Sequence, residues 1–156
     1  MQKTLLLTDK TVRKIYQAAD DELKAALQDN YPKGFFSQNI LERVFTFEDA
    51  CAETGRDPKD PFFSACRPHE NANRKIEEVA LALNEGVVLD LKDPNTEKWR
   101  VYVIWEPKIS GFRLNDVGYC LTGTNTGLGS RTAFASREKA GHFAKYFMPL
   151  INESLA

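Results

Sequence analysis

Apolar residues at Val12, Ile15, Tyr16, Ala19, Leu23, Ala26 and Leu27 recur at intervals of three and four, the period of a helix with one buried stripe. That spacing predicts a helix over 9–29 of about five turns. Thr8 or Asp9 can cap its start, and Asn30 with Tyr31-Pro32 ends it. Ahead of it, Lys3 to Leu7 reads as a short edge strand. The helical period returns over 70–85 through Ile76, Val79, Ala80 and Leu83, with Gly86 as terminator. It returns again over 137–151 through Ala140, Phe143, Ala144, Phe147, Leu150 and Ile151, behind a Ser136 cap. A shorter helix over 47–54 is signalled by Thr46-Phe-Glu-Asp49. There a hydroxyl and a carboxylate three residues apart can each satisfy a free helix N–H, and Gly55 suits the left-handed position just past the end.

Between the later helices the period drops to two. Trp99-Arg-Val-Tyr-Val-Ile-Trp105 is the clearest strand, followed by the turn Glu106-Pro-Lys-Ile-Ser-Gly111 and the run Phe112 to Leu121. Val87 to Leu91 before Asp93-Pro-Asn, and Arg131 to Phe134, complete the set. Short turns between consecutive strands imply antiparallel pairing. The expected class is α+β: an antiparallel sheet of three to four strands near 87–92, 99–106, 112–121 and 131–135, packed against helices near 9–29, 47–54, 70–85 and 137–151. A chain of 156 residues suits one domain, 1–156. Proline and Asp-Pro steps from Arg56 to Pro68 mark the best boundary, so that a helical subregion 1–66 can precede an α+β subregion 67–156.

Strand alternation also sorts the aromatic residues. Trp99, Val101, Val103 and Trp105 share one face while Arg100, Tyr102 and Ile104 share the other, so both tryptophans point the way the valines do and are expected in the core. Arg100, Tyr102 and, on the next strand, Arg113 remain available for binding.

A formal net charge of -1 removes the strongest compositional argument for a nucleic-acid or anionic-membrane partner. The average hides a modest split: residues 1–95 hold 13 Lys and Arg against 17 Asp and Glu, and residues 96–156 hold 8 against 5. The N-terminal Leu5-Leu-Leu7 is too short for a signal-peptide core or a membrane span, so a cytoplasmic protein with no membrane partner is expected. Three widely spaced cysteines, Cys51, Cys66 and Cys120, suit reduced thiols there.

Motifs for chemistry are sparse. The stretch Thr122-Gly-Thr-Asn-Thr-Gly-Leu-Gly-Ser130 with Arg131 offers loop N–H groups, Thr124, Asn125 and Ser130 side chains and one guanidinium for a small anion or nucleotide. It matches neither the Walker spacing nor the dinucleotide fingerprint, and a plain hairpin loop explains its glycines equally well. Arg100, Tyr102, Arg113 and their aromatic neighbours can equally be read as a stacking surface for single-stranded nucleic acid. Cys66 and His69 form half of a zinc pattern with no second pair, and no cysteine lies in a nucleophile motif. The chain is therefore expected to have no catalytic residues, metal or cofactor and not to be an enzyme.

Glu42-Arg-Val-Phe-Thr-Phe-Glu-Asp-Ala-Cys51, Ala82-Leu-Asn-Glu-Gly86, Gly111-Phe-Arg-Leu114 and Gly129-Ser-Arg-Thr-Ala-Phe-Ala-Ser-Arg-Glu-Lys-Ala140 together resemble a group of small uncharacterised proteins of phages, prophages and mobile elements of Bacteroides-type bacteria. The resemblance spans about residues 42–151, on capping and turn signatures. It implies a genomic setting, in which host cytoplasm and virion are both compatible locations, and carries no activity onto any residue. The expectation is a non-enzymatic phage or mobile-element protein acting by protein–protein binding or self-association. The alternatives are a nucleic-acid-binding domain and a small anionic-ligand or nucleotide-binding protein using loop 122–131.

Overall fold

The computed structural model describes residues 7–90, 93, 95–119 and 132–156. Among these residues the fold is α+β, with six helices and one two-stranded antiparallel sheet. The helices are α1 (Asp9–Ala18), α2 (Asp21–Asn30), α3 (Phe47–Thr54), α4 (Pro68–Leu83), α5 (Arg137–Tyr146) and α6 (Met148–Leu155), and the strands are β1 (Trp99–Glu106) and β2 (Gly111–Tyr119). The expected strand over Lys3 to Leu7 falls mainly outside the described residues.

Two long helices of the sequence reading are each broken once, by local chemistry that outweighs the apolar stripe. The 9–29 helix stops at Ala18 because Asp20 caps a new helix. Its carboxylate accepts the Leu23 N–H at 2.9 Å, and Asp21 and Glu22 place negative charge on the positive end of α2. Ala19 between them is extended. The 137–151 helix stops at Tyr146 because Pro149 has no N–H for the preceding turn and its ring clashes with that turn's carbonyl. The capping box of α3 forms as expected, with Thr46 and Asp49 exchanging bonds of 3.1 and 2.9 Å and Gly55 left-handed at φ 79°.

Among the described residues the sheet has two of the three to four strands expected. Residues 87–90 are irregular, with Val87 and Val88 exposed, and residues 91–92 lie outside the described set. Of the expected 131–135 strand, residue 131 lies outside the described set, and residues 132–135 show one bridge to β1, Phe134 to Trp99. The Asn84 amide donates to Ala133 O and accepts from Ala135 N, both at 2.9 Å, and so ties the end of α4 to the chain entering α5. Those bonds lie on the side of the segment turned away from β1, because Phe134 between them faces Trp99. Residues 120–121 of the expected 112–121 strand are outside the described set.

β1 and β2 pair from Trp99↔Tyr119 to Glu106↔Gly111 with one bulge, where Asn115 is the extra residue between the pairs Tyr102↔Asp116 and Val103↔Leu114. The bulge reconciles two phases in β2. Phe112 and Leu114 occupy even positions and Val117 and Tyr119 odd ones, yet all four end on one face, opposite Trp105, Val103, Val101 and Trp99. That face meets the core of Ile40, Val44, Ala50, Ile76, Val79, Leu83, Phe134, Phe143, Phe147 and Ile151, with Trp99, Val101, Val103 and Val117 packed against it. The expectation of a core-facing side holds for these residues. Trp105 differs: it is 52% exposed at the far end of the hairpin, its ring edge-on to Phe112 at 5.3 Å.

Candidate interaction surface

Which backbone groups of the hairpin are spoken for follows from its two edges. Trp99 exchanges N–H and C=O bonds of 2.9 Å with Phe134, on the side of β1 away from β2. On the opposite edge, the Asn152 side chain of α6 accepts the Phe112 N–H at 2.6 Å and donates to Phe112 O at 3.1 Å. Phe112 faces Trp105, so the odd residues of β1 are the ones whose backbone turns outward. Among the described residues no hydrogen bond reaches the outward groups of Val101, Val103 and Trp105. This open edge is about 13 Å long.

The two edges are therefore unequal. β2 carries polar side-chain caps: Asn152 on Phe112, and Arg113 donating to Leu114 O at 3.3 Å. Such caps blunt an edge against pairing. Among the described residues β1 carries no such cap, only the Phe134 backbone on Trp99, and its flank is apolar, with Tyr102, Ile104 and Trp105 all exposed and Ile109 exposed at the hairpin tip. A groove of about 260 Å³ runs beside the edge at Val101, between Arg100 and Tyr102 on one side and Thr132, Phe134, Ile76 and Phe143 on the other. Arg100 Nε is buried there with no hydrogen-bond partner.

The three binding candidates within the described residues have unequal roles. Tyr102 lies across Gly118, where an added Cβ would meet its Cε2 at 2.6 Å, so glycine leaves room for the ring. Arg113 is drawn into the hairpin by Glu106 Oε2 at 3.3 Å. Arg100 alone of the three holds an unpartnered buried donor. Thr124, Asn125, Ser130 and Arg131 lie outside the described residues. Cys66 and His69 stand near the start of α4, and among the described residues no group of three or more His, Cys, Asp or Glu comes together to hold a metal ion. Among the same residues no helix is long and apolar enough to cross a membrane.

A second feature left only a faint trace in the sequence. Glu78, on α4 among charged neighbours, reads as a solvated residue but is 6% exposed. Its Oε1 is buried without a partner and its Oε2 sits 3.6 Å from Arg56 Nε. The nearby Cys51 thiol, itself fully buried, is pushed up to about 11, first by burial and then by the Glu78 charge. Only the i, i+1, i+4 spacing of Glu78 to Val79 and Ala82 hinted that it faces inward.

Comparison with protein-family models, with curated proteins and with solved structures finds no match.

Proposed function

We propose that this chain binds an extended segment of another protein, or of a second copy, by adding it as a strand along β1. The carrying observation is the asymmetry of the hairpin: three outward backbone positions at Val101, Val103 and Trp105 that have no partner among the described residues, beside exposed Tyr102, Ile104 and Trp105, while the opposite edge is capped by Asn152. Main-chain bonds would supply affinity and the apolar flank register, the usual division in strand addition. Arg100, with its buried Nε unpaired at the groove, is suited to a carbonyl or carboxylate of the incoming segment. The setting we infer is that of a phage or mobile-element protein without catalytic activity.

A nucleic-acid partner is the weaker reading. Arg113 is already paired with Glu106, and Asp116 stands directly across from Tyr102, so the hairpin face offers a polyanion little uncompensated positive charge.

The test is mass by light scattering, alone and after pull-down from host lysate, for the wild type and Val103→Pro. Proline removes an N–H that points away from β2, as tolerated on an edge, together with the Val103 side chain that packs against the core. Wild type should self-associate or retain a partner, and Val103→Pro, with its fold checked by circular dichroism, should not. A strict monomer retaining nothing, or a proline variant that binds as well as wild type, would refute the reading.

A further inference from the structure

The cavity that Glu78 lines lies apart from the hairpin edge and has its own chemistry. It encloses about 370 Å³, within the range of small-ligand sites. Its walls combine carboxylates, guanidinium groups and apolar surface, with Glu77 a second carboxylate beside Glu78. Glu78 supplies a carboxylate 94% withdrawn from solvent, by difference from its 6% exposure, with one oxygen unpaired. Arg56 and Arg74 supply two guanidinium groups, which lie 5.1 and 4.6 Å from the Phe62 ring centroid. Leu81, Val87 and Phe62 supply apolar surface, of which Phe62 and Val87 are exposed to solvent.

A buried carboxylate with a vacant acceptor is costly unless a donor reaches it. The protein's own candidate, Arg56, fails to do so: its Nε is 3.6 Å away, beyond hydrogen-bond length, and the side chain is 43% exposed. Arg74 instead donates to Phe62 O at 2.7 Å. The pattern asks for a ligand that brings paired N–H donors to Glu78, a flat body for the apolar walls and an anionic group for the arginines.

We infer that this cavity binds a guanine nucleotide. Guanine presents two adjacent N–H donors, N1–H and the N2 amino group, which match the two oxygens of one carboxylate. Its phosphate meets Arg56 and Arg74, both of which line the cavity. Adenine is excluded by the same geometry, because its N1 would set a lone pair against the Glu78 carboxylate. Hypoxanthine, with N1–H and no amino group, falls between.

Titration calorimetry of the full chain with GMP, IMP, AMP, guanosine and inorganic phosphate tests this assignment. Affinity should fall from GMP to IMP to AMP, with GMP ahead of AMP by about tenfold to a hundredfold, the worth of one bidentate edge contact. Guanosine should bind more weakly than GMP, and phosphate alone more weakly still. Glu78→Gln should reverse the preference toward AMP, since a carboxamide offers the N–H and C=O pair that adenine's edge requires. Arg74→Gln should weaken GMP and leave guanosine unchanged. Equal affinity for GMP and AMP, tight binding of phosphate alone, no binding of GMP at millimolar concentration, or a folded Glu78→Gln that keeps the wild-type order would each overturn the assignment.

Discussion

Replacing Glu78 by Met is expected to make the unliganded chain more stable. The substitution keeps a straight side chain of similar length and high helix propensity in the middle of α4. It removes a carboxylate whose Oε1 is buried without a partner, a state that costs about 1–3 kcal/mol. The compensating loss is the Arg56 contact. At 3.6 Å, with Arg56 43% exposed, that contact is screened and falls in the class worth about 0–1 kcal/mol. The balance is a gain of about 1–2 kcal/mol. A chain of 156 residues converts each kcal/mol into about 2–4 °C, so the melting temperature should rise by about 2–8 °C. Differential scanning calorimetry at neutral pH, with agreement of calorimetric and van't Hoff enthalpies, reads this directly. A lower melting temperature in Glu78→Met would refute the reasoning, because it would mean that the carboxylate finds stabilising partners in the folded chain. A gain would fit a site that trades stability for binding.

Three further substitutions address the frame around the two sites. Asn84→Ala strips the partners from Ala133 O and Ala135 N and should cost about 2–5 kcal/mol in urea denaturation; a loss below about 0.5 kcal/mol would contradict the role of Asn84 as the tie between α4 and α5. Asn152→Ala should cost about 1–2 kcal/mol and expose the Phe112 edge, seen as faster hydrogen exchange of the Phe112 amide and increased aggregation at high concentration. The Cys51 thiol, raised to about 11 in the fold, keeps its proton longer than in the unfolded chain, so its contribution is whole below about pH 9 and is lost as pH climbs toward 11. The stability difference between wild type and Cys51→Ala should therefore shrink by about 1.4 kcal/mol per pH unit across that window, and a difference independent of pH would sink the assignment.

Local signals in this chain were legible and long-range ones were not. The capping box at Thr46 and Asp49, the left-handed Gly55 and the alternation of Trp99 to Val103 act over a few residues, and each appears where the spacing puts it. The breaks at Ala19 and Phe147 were also written locally, in Asp20-Asp21-Glu22 and in Pro149, but a continuous apolar stripe masked them. The parity change between Leu114 and Val117 foreshadowed the bulge at Asn115. Nothing within a helical period could announce that Asn84 bridges to residues 133 and 135, or that Asn152 closes the β2 edge forty residues away. The burial of Glu78 and the isolation of its Oε1 arise from the same tertiary placement, invisible to a pattern in which charge ordinarily means a solvated face.

The open edge of β1 is the central claim, and residue-resolved amide hydrogen exchange tests it most directly. In the dilute monomer, the N–H groups of Val101, Val103 and Trp105 should exchange nearly unprotected, while those of Arg100, Tyr102 and Ile104, turned toward β2, are protected. On self-association or addition of the captured partner, the first three should become protected together. Protection of Val101, Val103 and Trp105 already in the isolated monomer, or their continued rapid exchange in the complex, would contradict strand addition along β1.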